Sequence, residues 1–120
     1  MPFSETLKSI VESVEGGLGA IIMADDGIAI DEYFLDGAGM DLNLMAVEYA
    51  SLLKEVKRTA DVLKTGMLEE LAVNTGQSRV IVRIINDELF IALILGRDGN
   101  YGKGRYLLRR EVSGLRERLS

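Results

Sequence analysis

The sequence predicts an α/β sandwich in which one five-stranded antiparallel sheet lies between two layers of helix. Eight segments follow one another in the order α-β-β-α-β-β-β-α. The links between neighbouring strands are too short for parallel crossovers, so we expect these strands to pair antiparallel. The fifth strand, Leu89–Leu95, has no polar face. We therefore expect it at the centre of the sheet, with helices above and below.

The first third of the chain predicts a helix followed by a β-hairpin. Apolar residues recur at helical spacing over residues 3–15, and Ser4 is the expected N-cap. The turn Asp25-Asp26-Gly27 separates two apolar segments, residues 19–24 and 28–34. Asp and Gly tolerate the positive φ of a tight turn, so this motif predicts a hairpin.

A long middle helix is predicted over Asp41–Thr65, with Asp41 as N-cap and Gly66 just past its end. Its apolar residues cover about 160° of the helix, whereas one core needs a stripe only a little over about 100° wide. The excess is enough to contact a second subunit as well as the sheet. A helix that is simply well buried would show the same pattern.

The remaining segments are three strands, a loop and a helix. The strands are predicted at residues 67–75, 79–85 and 89–95. Residues 96–104 contain four glycines and predict a loop, after which a basic amphipathic helix runs to about Leu119.

Composition excludes several classes of chemistry. The 120 residues suit a single domain over 1–120, and they include neither cysteine nor histidine. This excludes Cys/His zinc sites, Ser-His-Asp triads and Cys-His pairs. The glycine-rich segment does not fit a Walker motif, because Lys103 is followed by Gly104. We expect no catalytic residues, no metal site and no cofactor, so the predicted protein is not an enzyme.

Charge and hydropathy bear on partners and location. Residues 1–50 carry ten acidic side chains and one basic one, whereas residues 51–120 carry nine acidic and thirteen basic ones. An acidic chain with one basic segment does not suggest nucleic-acid binding, but its polarity would steer a charged protein partner or aid solubility. No signal peptide or membrane-spanning run is visible, so the expected location is the cytoplasm, without membrane insertion.

The third strand is the expected site of self-association. An edge strand has unpaired backbone groups, and Glu69 and Glu70 would protect this one only in part. Two-fold pairing with a second copy would join two sheets and bring the middle helix against its twin. We therefore expect a homodimer. The residues expected at its interface are Leu71, Ala72, Val73, Met45, Tyr49, Leu52 and Val56.

A second surface is expected on the outer side of the middle helix. Leu44, Val47 and Val62 are apolar residues on an otherwise polar side. Exposed apolar positions of this kind can serve a protein partner. The alternative function is a small-ligand sensor with a pocket between sheet and helix, and a carboxylate-dependent enzyme is a third hypothesis.

The chain resembles the roadblock (dynein light chain) family over essentially its whole length. The resemblance rests on the order of elements and on four local features. These are the hairpin Gly19–Gly27, the helix Asp41–Thr65, the strand pair Val80–Ile85 with Leu89–Leu95, and the segment Asn100–Arg105 leading into the last helix. Longin and profilin-like domains share the layered arrangement.

The resemblance implies a function as well as a fold. It implies a homodimer with a continuous ten-stranded sheet, formed through the third strand and the middle helix. It also implies a non-catalytic scaffold or regulator of a Ras-like small GTPase, in polarity, motility or trafficking, or a light chain in a motor complex. The family offers no fixed catalytic residues to carry over to this sequence.

Overall fold

The computed structural model describes residues 3–37 and 39–119, and its elements follow the predicted order. Their bounds are α1 (Ser4–Ser13), β1 (Gly17–Ala24), β2 (Ala29–Phe34), α2 (Leu42–Leu63), β3 (Glu70–Asn74), β4 (Ser78–Ile84), β5 (Leu89–Gly96) and α3 (Tyr101–Arg118).

The five strands form one antiparallel sheet with the order β2-β1-β5-β4-β3. The central position predicted for β5 is confirmed, and residues Phe90–Leu95 are buried. A strand that is apolar on both faces is stable only where both faces are covered. β2 and β3 are the edges, as the expectation for the third strand requires.

Helices cover both faces of the sheet. Alternate residues such as Ile22, Ile81 and Leu93 pack under α1 and α3, in one buried cluster. Their neighbours Ile21, Val82 and Ala92 pack under α2, in a second cluster. The three-layer architecture is therefore confirmed, and its cause is the period-two alternation of side chains along each strand.

α1 and α3 lie antiparallel on the same face of the sheet and meet at both ends. The Asn100 N–H at the start of α3 donates to the Glu15 carbonyl after α1 (2.8 Å), and the Arg118 guanidinium lies over the Phe3 ring (4.5 Å). The two connecting turns touch, because a Cβ added to Gly16 would lie 2.5 Å from the Gly99 Cα. Glycine at these positions permits the approach.

Two predicted helix starts are wrong. Phe3 occupies the N-cap position of α1, so Ser4 is the first helical residue and not the cap. The glycine-rich segment is helical from Tyr101 onward, because the Asn100 side chain accepts from the Lys103 N–H (3.1 Å) and starts α3 earlier than predicted. A good N-cap offsets the low helix propensity of the two glycines in the first turn.

Two other boundaries also differ. The Asp41 cap of α2 is confirmed, since its carboxylate accepts from the Leu44 N–H (3.0 Å). The helix nevertheless ends at Leu63, because Lys64 adopts the left-handed conformation (φ 55°) before Gly66 is reached. β3 begins at Glu70, so residues 65–69 form an irregular connection in place of the predicted start of the strand.

Candidate protein-interaction surfaces

α2 contacts the sheet through a narrow buried strip and leaves a wider apolar surface uncovered. Its buried residues are Leu42, Ala46, Ala50 and Leu53. Beside them runs a second strip of partly buried or exposed apolar residues, which we call the α2 seam. It consists of Met45, Tyr49, Leu52, Val56 and Leu63.

The α2 seam contains all four α2 residues predicted for the dimer interface. Met45, Tyr49 and Val56 are half-buried, and Leu52 is 41% exposed. Leu63 joins the same strip, because it lies 14 residues after Tyr49 and about 40° from it around the helix. The seam therefore extends along most of the helix, and a large part of its apolar surface is left uncovered in the protomer.

The edge strand β3 presents the backbone groups of alternate residues to solvent. In its pairing with β4, Thr75 N–H donates to the Ser78 carbonyl and Ile84 N–H donates to the Glu69 carbonyl. In an antiparallel ladder, every second residue bonds to the partner strand. Residues 69, 71, 73 and 75 therefore face β4, and the N–H and C=O groups of Glu70, Ala72 and Asn74 point outward.

The side chains of β3 divide between the two faces of the sheet. Leu71 packs against the cluster under α2, and Val73 shares its face by alternation. Ala72 is exposed and faces the side of α1 and α3. Of the residues predicted at the interface, Leu71 and Val73 therefore lie on the same side as the α2 seam, whereas Ala72 offers mainly its backbone.

The three residues predicted to bind a partner are all exposed, but they do not form one patch. Leu44 (56% exposed) and Val47 (40%) lie one turn apart near the start of α2. Val62 (65%) lies about 27 Å further along the helix, at 1.5 Å per residue. It belongs instead with exposed Leu63 and Met67 at the other end. Sequence reasoning missed Met67, because the irregular connection was predicted as strand.

An ion-pair cluster lies on the face of β3 that is opposite α2. The Glu70 carboxylate accepts from Arg105 Nε (2.7 Å) and from Arg83 Nη1 (3.5 Å), and its side chain is only 15% exposed. Arg83 meets this carboxylate because it lies directly opposite Glu70 in the pairing of β4 with β3. Glu70 is thus a structural ion-pair partner as well as a charge at the edge.

Two adjoining surface depressions lie where α2 joins β3. A cavity of about 540 Å³ is bordered by Met67, Glu69, Arg83, Asp87 and Arg116 among others. A smaller one of about 260 Å³ lies between the end of α2 and the end of β4.

Within residues 3–37 and 39–119, no three acidic side chains converge as metal ligands would. None of the helices in that part of the chain has the length and apolar character needed to cross a membrane.

Comparison with known proteins places this arrangement in a family. The chain is 40% identical to MglC from Myxococcus xanthus, covering 98% of this chain and 99% of that one, with a TM-score of 0.72. It also shares its fold with a Roadblock/LC7 domain from Streptomyces avermitilis (17% identity, 97% and 96% covered, TM-score 0.83). A third structure is the gliding protein MglB from Thermus thermophilus (16% identity, 94% and 84% covered, TM-score 0.81).

No protein-family model and no curated protein sequence matches the chain. The identity to MglC over nearly the whole of both chains, together with the fold, is sufficient: the chain belongs to the roadblock/LC7 family. The resemblance inferred from the order of elements is therefore confirmed.

Proposed function

We propose that this protein is a non-catalytic homodimeric scaffold or regulator of a Ras-like small GTPase. The proposal rests on how apolar residues are distributed around α2. One apolar strip packs on the sheet, a second lies beside the β3 edge, and separate apolar residues lie on the outer side of the helix. A helix that only closed a core would need the first strip alone.

Self-association is supported by two features that lie on the same edge. The α2 seam leaves large apolar side chains partly in water, and β3 leaves three residues' backbone groups unpaired. A two-fold axis at the β3 edge would bury both features together and extend the sheet to ten strands.

Membership of the roadblock/LC7 family supports a GTPase as the partner, and the exposed apolar side chains of Leu44 and Val47 are the surface that we propose for it. The gliding protein MglB shares the fold, and we carry motility over to this chain as the process in which the GTPase acts. In the proposed complex, the partner contacts the outer side of α2, which the β3 pairing leaves accessible.

The test is retention of Ras-like GTPases from the same genome on the immobilised protein, in the GDP form and in a GTP-analogue form. The wild type should retain one of them in at least one nucleotide state. Val47→Asp should abolish retention, because it places a charge among the exposed apolar side chains. Tyr106→Asp is the matched control, since Tyr106 is an exposed aromatic residue on α3, across the sheet. If no GTPase is retained in either state, the proposal is wrong.

A small-ligand sensor is the second candidate. The cavity of about 260 Å³ between α2 and the end of β4 is bordered by both polar and apolar residues, including Lys57, Asp61, Met67 and Ile84. A reproducible rise in melting temperature with one nucleotide or metabolite would favour this function. Loss of that rise in Asp61→Ala would locate the ligand in the cavity.

A further inference from the structure

One helix carries the positive charge of the molecule. α3 contains six basic and two acidic side chains, whereas the whole chain has a net charge of −5. Two of its arginines point toward the β3 edge. Arg105 Nε donates to Glu70 on β3, and Arg116 Nε donates to the Ile85 carbonyl just after β4 (2.7 Å).

Arg109 lies on the same side of α3. At about 100° per residue, it is about 40° from Arg105 and about 20° from Arg116 around the helix. Its side chain is exposed. Arg110 is about 100° away from Arg109, and it is exposed on the outer surface, where it pairs with Glu111 and lies over the Tyr106 ring.

β4 contributes two more arginines to this side. Arg79 and Arg83 alternate with residues that pack under α2, so they share the face of Ile81, toward α3. Arg79 Nε donates to the Arg97 carbonyl (3.0 Å) and Arg83 pairs with Glu70. The floor beside them is open, because Ala72 and Asn74 on β3 are exposed on this face.

These residues flank the uncovered strip of sheet between α3, which packs on β4 and β5, and the β3 edge, and we call this strip the arginine trough. It is lined by Arg79, Arg83, Arg105, Arg109 and Arg116. Three carboxylates lie with them, namely Glu70 on the floor and Glu69 and Asp87 at the Arg116 end. Five cations against three anions leave a net charge of +2, which is opposite in sign to the chain as a whole.

The proposed dimer would turn two troughs into one channel, and this step rests on the proposed function. Two-fold pairing of β3 places β4 and its copy three strand spacings apart, about 14 Å at about 4.8 Å each. The two α3 helices would form the walls and carry the arginines of both protomers. Because α3 packs on both β4 and β5, the two helix axes would stand about four strand spacings apart, about 19 Å. Each helix with its side chains is about 10–12 Å across, so roughly 8 Å remains between them, which accommodates one extended peptide.

We infer that the arginine trough binds an acidic peptide segment of a partner protein, on the face of the sheet opposite the α2 surface. Guanidinium groups pair bidentately with carboxylates, which suits Asp and Glu side chains. A planar anionic membrane would meet the outer surface of α3 before it reached a recess beside the helix. Single-stranded nucleic acid needs aromatic stacking surfaces, and Tyr106, the exposed aromatic residue of α3, lies away from the trough.

The probe is a fluorescein-labelled decaglutamate peptide, followed by fluorescence anisotropy at low and at high salt. Wild-type protein should bind it, with affinity that falls as salt rises. Arg109→Glu should weaken binding at least 10-fold. Arg110→Glu, which makes the same charge change on the adjacent outward-facing residue, should change it less than 3-fold. Circular dichroism should show both variants folded, since both side chains are exposed.

Four other outcomes would overturn the inference. No binding to the wild type, or equal weakening by the two variants, overturns the inference, because the second result would reflect net charge alone. Binding of a labelled dT10 oligonucleotide that depends on Arg109 more strongly than peptide binding does would replace the peptide with nucleic acid. Preference for vesicles containing phosphatidylserine, weakened equally by both variants, would replace it with a membrane surface.

Failure here is distinguishable from failure of the proposed function. Val47→Asp should leave decaglutamate binding unchanged, and Arg109→Glu should leave GTPase retention unchanged, because the two surfaces lie on opposite faces of the sheet. Sedimentation of the same samples reports the dimer separately. Absence of peptide binding by a wild-type sample that is dimeric and retains its GTPase therefore overturns the arginine trough alone.

Discussion

Proline substitutions at two adjacent residues of β3 distinguish hydrogen bonds that pair two protomers from hydrogen bonds within one protomer. Ala72 directs its N–H outward, whereas the adjacent Val73 directs its N–H toward β4, by the alternation that the Thr75 and Ile84 hydrogen bonds establish. Proline removes a donor at either position and is tolerated in strands mainly at edges. Ala72→Pro should therefore block pairing with a second copy while leaving the protomer folded.

The expected loss of dimer stability follows from the number of β3 backbone groups that point outward. Glu70, Ala72 and Asn74 of two antiparallel copies could exchange about six hydrogen bonds. Ala72→Pro in both copies removes about two of them, each contributing about 1 kcal/mol. A loss of about 2 kcal/mol corresponds to about a 30-fold higher dimer dissociation constant, and the ring adds steric exclusion. Val73→Pro instead removes the N–H that bonds to β4, leaves a carbonyl there unpaired and should lower protomer stability by about 1–3 kcal/mol.

Sedimentation equilibrium over a dilution series measures the dimer, and urea unfolding measures the protomer. The expected pattern is a dimeric wild type, a largely monomeric but folded Ala72→Pro and a destabilised Val73→Pro. A wild type that is monomeric at high concentration would refute the dimer. A dimer unaffected by Ala72→Pro would show that association does not use the β3 edge.

Three other predictions concern the elements that hold these surfaces in place, and urea unfolding measures each. Gly104→Leu should destabilise the protein by about 1–3 kcal/mol, because a Cβ there would lie 2.9 Å from a side-chain atom of buried Leu93. The control is Gly114→Leu, which should be neutral or stabilising, because a Cβ at Gly114 meets nothing within 4 Å. Equal effects of the two substitutions would contradict this packing of α3. Asp41→Ala should cost about 1 kcal/mol, because it removes the N-cap hydrogen bond of α2, and no loss would mean that the cap does not stabilise the helix. Leu53→Ala should cost about 2–5 kcal/mol, because Leu53 is fully buried between α2 and the sheet, and a cost below about 1 kcal/mol would contradict that burial.

The acidic and basic parts of the sequence lie in different parts of the structure. The acidic first half of the chain contains α1, β1 and the edge strand β2, whereas α3 and β4, beside the opposite edge, carry most of the arginines. The two edges of the sheet therefore differ in sign. Pairing through β3 would gather the positive charge at the centre of a dimer and place the acidic edges outside.

The order and type of all eight elements followed from the sequence, because hydrophobic period and turn residues are local signals. Asp25-Asp26-Gly27 marked the hairpin, and Asp41 marked the start of α2. The central place of β5 also followed, since a strand without a polar face needs cover on both sides. Even the wrong start of α3 was a local error, in which glycine content was weighed above the Asn100 cap.

What required the tertiary structure was the position of side chains distant in sequence. Glu70, Arg83 and Arg105 meet only because β3 pairs with β4 and α3 packs beside them. The outward direction of the Ala72 N–H depends likewise on the register of β3 against β4. Local preference determines which elements form, whereas long-range packing and register determine which of their side chains come together.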